Sequence, residues 1–104
     1  MSLGVLAGCA LALIATCAVS AEPDTYSGGD GSSMDNAVVI HAKTDRDGTH
    51  AEYAWLHEFH PGYKLIKQSL VSAGGRKVDV LEITDEDGKP RTYYFDISES
   101  FGKF

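Results

Sequence analysis

The chain has 104 residues, of which 43% are hydrophobic, and its net charge at neutral pH is −6. This length allows one domain with one modest core. The acidic charge argues against a nucleic-acid partner, which needs a basic patch, and against adsorption to anionic lipid.

An export signal is predicted over residues 1–21. No charged residue occurs from Ser2 to Ala21, and most of the segment is apolar. Val19 and Ala21, on either side of Ser20, are the small residues that a signal peptidase accepts. We therefore expect a cleaved signal peptide and an exported protein, periplasmic or extracellular, with no membrane span after cleavage.

Both cysteines, Cys9 and Cys17, lie inside this segment. Cleavage after Ala21 would leave a mature chain that has no disulfide and no thiolate. The alternative is lipidation of Cys17, although Thr16 is a poor residue before a lipidated cysteine. In that case the protein would be an exported lipoprotein anchored in the membrane.

A flexible linker is predicted over residues 22–35. The run from Gly28 to Ser33 is Gly- and Ser-rich and has no apolar side chain to bury. A single folded domain is predicted over residues 36–104. Its first element is a β-branched strand at residues 37–40.

One helix is predicted to follow the first strand. Thr44 precedes Asp47 by three residues, which resembles a capping box and indicates a helix start near Asp45. Three apolar residues then recur at a spacing of four, which predicts an amphipathic helix with this stripe towards a sheet: Ala51, Trp55 and Phe59. Pro61 and Gly62 are expected to end the helix.

Three strands are predicted over the rest of the chain, at residues 63–72, 77–84 and 91–97. A break in alternation in the first of them indicates a bulge, and Gly-rich turns at 73–76 and 85–90 join the three. The fold class is therefore α+β, with one helix packed on a small antiparallel sheet in the order β-α-β-β-β. The strand at 37–40 joins by a crossover, either beside the last strand or between two others.

Several sequence blocks resemble a group of small exported bacterial proteins of unknown function. The blocks are GDGSS at 29–33, NAVVI at 36–40, EYAWL at 52–56, PGY at 61–63, YFDIS at 94–98 and FGK at 101–103. The resemblance spans most of the predicted domain. It implies an exported single domain, and it carries no activity, cofactor or site residue.

Three histidines invite a metal hypothesis. His57 and His60 are three residues apart on the predicted helix, and His50 lies on the same side. The spacing is not the His-Glu-x-x-His zinc pattern, and a histidine at a helix end also interacts with the helix dipole. Metal binding by these histidines therefore stays an alternative function, and no cofactor is predicted.

A protein-binding surface is the favoured function. Tyr94 alternates with Tyr93 and Phe95, so we expect it on the sheet face that the helix leaves open, with Asp96 and Asp79 beside it. The domain is therefore interpreted as a non-catalytic protein-binding or inhibitory module with an unknown partner in the cell envelope. An enzyme is less favoured because a one-helix domain of this size rarely encloses a pocket, and no catalytic residue is assigned.

Overall fold

The computed structural model describes residues 25–104, so the predicted signal peptide and Cys17 lie outside the described residues. One helix lies on a five-stranded mixed sheet whose strand order is β1-β2-β5-β4-β3. The predicted α+β class and the order β-α-β-β-β are confirmed, and one short strand precedes them. The elements are β1 (Tyr26–Gly28), β2 (Val38–Ile40), α1 (Asp45–Phe59), β3 (Lys64–Ala73), β4 (Arg76–Thr84) and β5 (Pro90–Asp96).

Strands β3, β4 and β5 form an antiparallel meander. Gly74 and Gly75 make a two-residue turn with φ angles of 57° and 77°, which matches the right-handed twist of the flanking strands. The register shifts between Leu65 and Lys67, so a bulge lies where the alternation breaks. The local signals in the sequence therefore describe this half of the sheet correctly.

The meander is joined to the rest of the sheet through β2. This strand lies beside β5 and runs parallel to it, with Val38 opposite Phe95 and Val39 opposite Asp96. The first predicted strand therefore joins beside the last one, and α1 is the crossover that the parallel pairing requires.

The predicted linker at 22–35 needs correction from residue 25 onwards. Strand β1 pairs antiparallel with β2, and the Tyr26 hydroxyl donates to the Ala51 carbonyl at 2.6 Å. Beyond β1, the Tyr94 amide donates to the Gly31 carbonyl at 2.9 Å, and a Cβ at Gly31 would lie 3.2 Å from side-chain atoms of Tyr93 and Val38. Backbone groups make most of these contacts, so the segment belongs to the domain although its composition is that of a linker.

Helix α1 begins and ends where the sequence predicts. Thr44 is the N-cap, and its Oγ1 accepts from the Asp47 amide at 3.1 Å. At the other end the His60 amide donates to the Leu56 carbonyl at 2.8 Å. Gly62 then takes a φ of 86°, which turns the chain towards β3. No helix within residues 25–104 has both the length and the hydropathy to cross a membrane.

The buried face of α1 is rotated from the predicted stripe. Ala51 is buried, but Trp55 is half-buried and Phe59 is 55% exposed. The core under the helix takes no residue from β3. Its members lie on α1, on β2, β4 and β5, and directly after β5: Val38, Ile40, Ala51, Leu56, Leu81, Ile83, Phe95 and Ile97. The helix therefore covers β2, β5 and β4, and leaves β3 outside.

Gly48 allows the end of the chain to pack against the first turn of α1. A Cβ at this position would clash with the side chain of Ser100, which is buried. The Asp45 amide also donates to the Lys103 carbonyl at 2.7 Å, so the chain end satisfies a free donor of the helix. The weak helix propensity of Gly48 is thus offset by this close approach.

We expect Gly48→Ala to lower the free energy of unfolding by about 1–3 kcal/mol, as overpacking does, although alanine favours a helix by about 1 kcal/mol. Urea unfolding measures the change, and adding Ser100→Gly should recover part of it. Thr49→Ala, on the exposed side of the same turn, is the control and should change stability by about 0.5 kcal/mol or less. A Gly48→Ala protein as stable as the parent would contradict the packing argument.

Candidate functional site

Tyr94 and Asp96 lie on the sheet face away from the helix, opposite Val80 and Val78 of β4. Tyr94 is half-buried. Asp96 is used within the fold, because its Oδ2 accepts from Arg76 Nε at 3.0 Å and its Oδ1 accepts from the Ser98 hydroxyl at 2.6 Å. Asp96 therefore stabilises the end of β5 through these contacts.

The ionised form of Asp96 is stabilised by these contacts. Burial raises the pKa of Asp96, but the hydrogen bonds from Ser98 and the Arg76 guanidinium outweigh burial, and the pKa lies below its usual value. Arg76 Nη2 also donates to the Met34 carbonyl at 3.1 Å. The ion pair thus holds the segment before β2 against this end of the sheet.

Asp79 does not share the face of Tyr94, and the predicted grouping of the three residues is wrong in this respect. Asp79 lies opposite Phe95, on the helix side of the sheet, and is only 4% exposed. Its two oxygens each accept from Gln68 Nε2 at 2.9 Å. Strand β4 carries apolar residues on both faces, so its sequence does not show which face an acid takes.

Glu52 is the partner of Asp79 beneath the helix. It is 1% exposed, and burial, followed by the neighbouring Asp79 carboxylate, raises its pKa to about 10. Glu52 is therefore protonated at neutral pH and donates a hydrogen bond to Asp79, while its Oε1 has no partner among the described residues. The pair is closed to solvent, so a substrate does not reach it.

The signal for Glu52 was present in the sequence but ambiguous. Glu52 is four residues from both Gly48 and Leu56, and all three are buried on one side of α1. The stronger aromatic stripe at Trp55 and Phe59 directed the prediction to the adjacent side. A charged residue type on a helix is expected in solvent unless a partner is known.

The three histidines of the metal hypothesis do not converge. Within residues 25–104 no group of three His, Cys, Asp or Glu residues has the geometry to hold a metal ion. His50 and His57 are exposed. His60 is hydrogen-bonded instead through both ring nitrogens, with Tyr93 Oη 2.6 Å from Nε2 and Glu86 Oε1 3.3 Å from Nδ1. His60 is thus part of a Tyr–His–Glu chain that the sequence does not reveal.

The Tyr93–His60–Glu86 chain of hydrogen bonds borders a cleft of about 620 Å3. The cleft lies between the end of α1, the start of β5 and the segment after β1, and we call it the Trp55 cleft. Trp55 lines it, with its ring centroid 4.8 Å from that of Phe59 and 5.2 Å from that of Tyr93. The cleft is lined by Gly29, Asp30, Ser32, Trp55, Phe59, His60, Arg91 and Tyr93. Aromatic rings and charged groups therefore meet on one accessible surface.

Hydrogen bonds stabilise the ionised forms of the charged groups in and beside the Trp55 cleft. Hydrogen bonds from the Ser32 side chain and amide lower the pKa of Asp30, which stays ionised. Arg91 Nε donates to Asp85 Oδ2 at 2.8 Å, and this contact, with backbone donors from Lys89 and Asp87, lowers the pKa of Asp85 to about 2. The Arg91 charge is thus largely matched by Asp85.

A pH series tests the buried pair of Glu52 and Asp79. The folded pKa of about 10 lies above the ordinary value of 4.5, so the protonated carboxyl stabilises the fold fully below pH 4.5 and this contribution is lost as the pH rises towards 10. We expect Glu52→Gln to gain stability relative to the parent as the pH rises through this range, by at most about 1.4 kcal/mol per pH unit. Urea unfolding at successive pH values measures it.

The control for that series is Glu58→Gln, a change at an exposed glutamate of the same helix. It should leave the pH dependence of the free energy of unfolding unchanged. If Glu52→Gln follows the same pH dependence as the parent, Glu52 is not protonated in the folded protein.

Comparison with known proteins adds no assignment to these features. No family model, no curated protein and no solved structure matches the chain. The function is therefore argued from the geometry of residues 25–104 and from the sequence before them.

Proposed function

We propose that the protein is a small non-catalytic protein-binding module that acts outside the cytoplasm and uses strand β3 to bind. The observation that supports this is the placement of β3 at the edge of the sheet. It is ten residues long, it pairs on one side with β4, and no strand of residues 25–104 pairs with its other side. An outer strand of this length presents a row of free backbone donors and acceptors.

The side chains of β3 also favour a binding role. Four large apolar residues of this strand are between 37% and 63% exposed: Leu65, Ile66, Leu70 and Val71. None of them contributes to the core under the helix. A strand whose large apolar side chains are only partly buried in its own domain gains stability when a partner covers them.

An added strand would cover apolar side chains on both faces of β3. Leu70 lies opposite Asp79, on the helix side, and Val71 lies opposite Val78, on the other side. Strand addition uses the free backbone edge for affinity and the alternating side chains for specificity. An extended segment of another protein would pair with the free backbone edge and also cover the apolar side chains.

Charge favours a different protein over a second copy of this chain. Lys64 and Lys67 are exposed on β3, in a chain whose net charge is −6. Lysines on an outer strand oppose its pairing with an identical strand. An acidic extended segment would complement them.

The predicted surface around Tyr94 lies on β5, with β4 between it and β3. Tyr94 lies opposite Val80, and Val80 lies opposite Ser69 of β3, so the three residues form one row across the sheet. A partner strand beside β3 would extend this row on the side away from Tyr94, with β3 and β4 between the partner and Tyr94. Tyr94 therefore lies outside the strand-to-strand contact proposed for β3.

Location outside the cytoplasm is supported by the uncharged, apolar segment up to Ala21. We expect mass spectrometry of the mature protein to find an amino terminus at Glu22. An amino terminus at Cys17 carrying a diacylglycerol mass would instead identify a lipoprotein. A mature protein that keeps residues 1–21 intact would contradict the export proposal.

Site-specific photocrosslinking in cells tests the binding proposal. A photoreactive amino acid at position 67 should give an adduct whose partner peptide, identified by mass spectrometry, is an acidic extended segment of another protein. Ile66→Lys with Leu70→Lys should abolish the adduct, because lysines cannot be buried against the partner strand. Both substituted side chains are exposed, so circular dichroism should show an unchanged fold.

The matched control is Ala54→Lys with His57→Lys, which changes two exposed positions on the helix to the same residue. It should leave the adduct intact. Equal adduct yield from the β3 double variant and the parent would overturn the proposal. An adduct only with a second copy of this chain would replace it with a homodimer.

A further inference from the structure

We propose that the Trp55 cleft binds an organic cation, an alkylammonium or guanidinium group. The cleft shares no residue with β3, so this inference is independent of the binding role proposed for that strand. Its volume of about 620 Å3 is in the range of small-ligand sites. The cation could belong to a free small molecule or to a Lys or Arg side chain of a polypeptide.

The aromatic rings are the first part of the argument. The Trp55 ring lies close to the rings of both Phe59 and Tyr93, and none of the three is fully buried. Phe95 contacts the Trp55 ring edge-on at 5.4 Å and supports it from the core side. The face of an aromatic ring carries negative potential and attracts a cation, with Trp the strongest of the natural rings.

The Tyr93–His60–Glu86 chain holds one wall of the cleft in place. The Tyr93 hydroxyl is 2.6 Å from His60 Nε2, and the two rings are 5.1 Å apart. His60 is in turn fixed by Glu86 at 3.3 Å. A ring that is oriented before binding loses little side-chain entropy when the ligand arrives.

Asp30 supplies the negative charge in the cleft itself. Both hydrogen bonds that it accepts from Ser32, at 3.0 and 2.6 Å, end on Oδ1. Oδ2 has no such bond among the described residues and is available to a ligand. An ionised carboxylate beside aromatic rings is the combination that distinguishes a cation from a neutral ligand of the same shape.

Arg91 is the group in the cleft that would favour an anionic ligand. The carboxylates near it disfavour an anion. Asp85 is ion-paired with Arg91 at 2.8 Å, and Glu86 is 3.3 Å from His60, which lines the cleft. With Asp30 in the cleft, three carboxylates are set against one guanidinium. The balance of charge in and around the cleft is therefore negative, as it is for the whole chain.

The test uses Trp55 as its own reporter, because it is the single tryptophan of the chain. Trp55 emission is followed while the protein is titrated with N-acetyl-lysine methylamide, N-acetyl-arginine methylamide and choline. N-acetyl-norleucine methylamide is the neutral probe, and N-acetyl-glutamate methylamide is the anionic one. We expect a saturable change with the cations and a response at least threefold weaker with the other two probes.

Two pairs of variants locate the binding site. Asp30→Asn should weaken cation binding about three- to fivefold, the contribution of a partly exposed ion pair, while Asp35→Asn, at an exposed acid in the same segment, should not. Phe59→Leu should weaken binding by a similar factor, and Phe101→Leu, the same change at an exposed ring outside the cleft, should not. Circular dichroism confirms that each variant keeps its fold.

The relative affinities of the probes test the proposal and identify the class of ligand. Tighter binding of the lysine or arginine probe than of choline indicates a polypeptide side chain, and the reverse order indicates a free small cation; both support the cleft. Equal affinity for the norleucine probe, preference for the glutamate probe, or no saturable change with millimolar cation would overturn the proposal. So would an Asp30→Asn protein that binds as tightly as the parent.

Discussion

The parallel pairing of β2 with β5 determines where the other parts of the domain lie. Strand β2 has only three residues, yet Val38 and Ile40 both enter the core beside Phe95. Because α1 leads from β2 to the far edge of the sheet, it crosses β5 and β4 and returns the chain to β3 outside the core. The same pairing brings the segment after β1 to the edge of β5, where it forms one wall of the Trp55 cleft. Both proposed surfaces thus follow from this one contact.

The acidic residues of the chain fall into two groups with different roles. Inside the fold each acid is neutralised or satisfied: Glu52 keeps its proton, and Asp79 and Asp96 accept hydrogen bonds from Gln68 and Arg76. Asp30 is ionised too, but it differs because it lines an accessible cleft and its bonds from Ser32 both end on Oδ1. The net charge alone does not separate structural acids from acids that are free to meet a ligand.

Local signals predicted the meander, its turns, the bulge and both ends of α1, because each depends on a few neighbouring residues. The β1 strand and the cleft were not predictable in this way. The segment from Gly29 to Asn36 is ordered by backbone contacts with distant residues, and a Gly- and Ser-rich composition cannot reveal them. The environment of Asp79 depends on which side of α1 packs on the sheet, and the stripe of Trp55 and Phe59 predicts the wrong side. Asp30 becomes a neighbour of Trp55 only through the tertiary fold. His60 is near Trp55 in sequence, but its partners Tyr93 and Glu86 are distant in the chain.

The order of the sheet also has a kinetic consequence. The core row that joins Val38 to Phe95 links the two ends of the domain, so it forms only after β5 has left the ribosome. Contacts between distant parts of a chain form slowly, and before they form the local hairpins have little apolar surface to bury. A nascent chain of this topology stays open at least until β5 has been synthesised. Such delayed closure is compatible with the proposed export, since only an unfolded chain passes through a narrow channel.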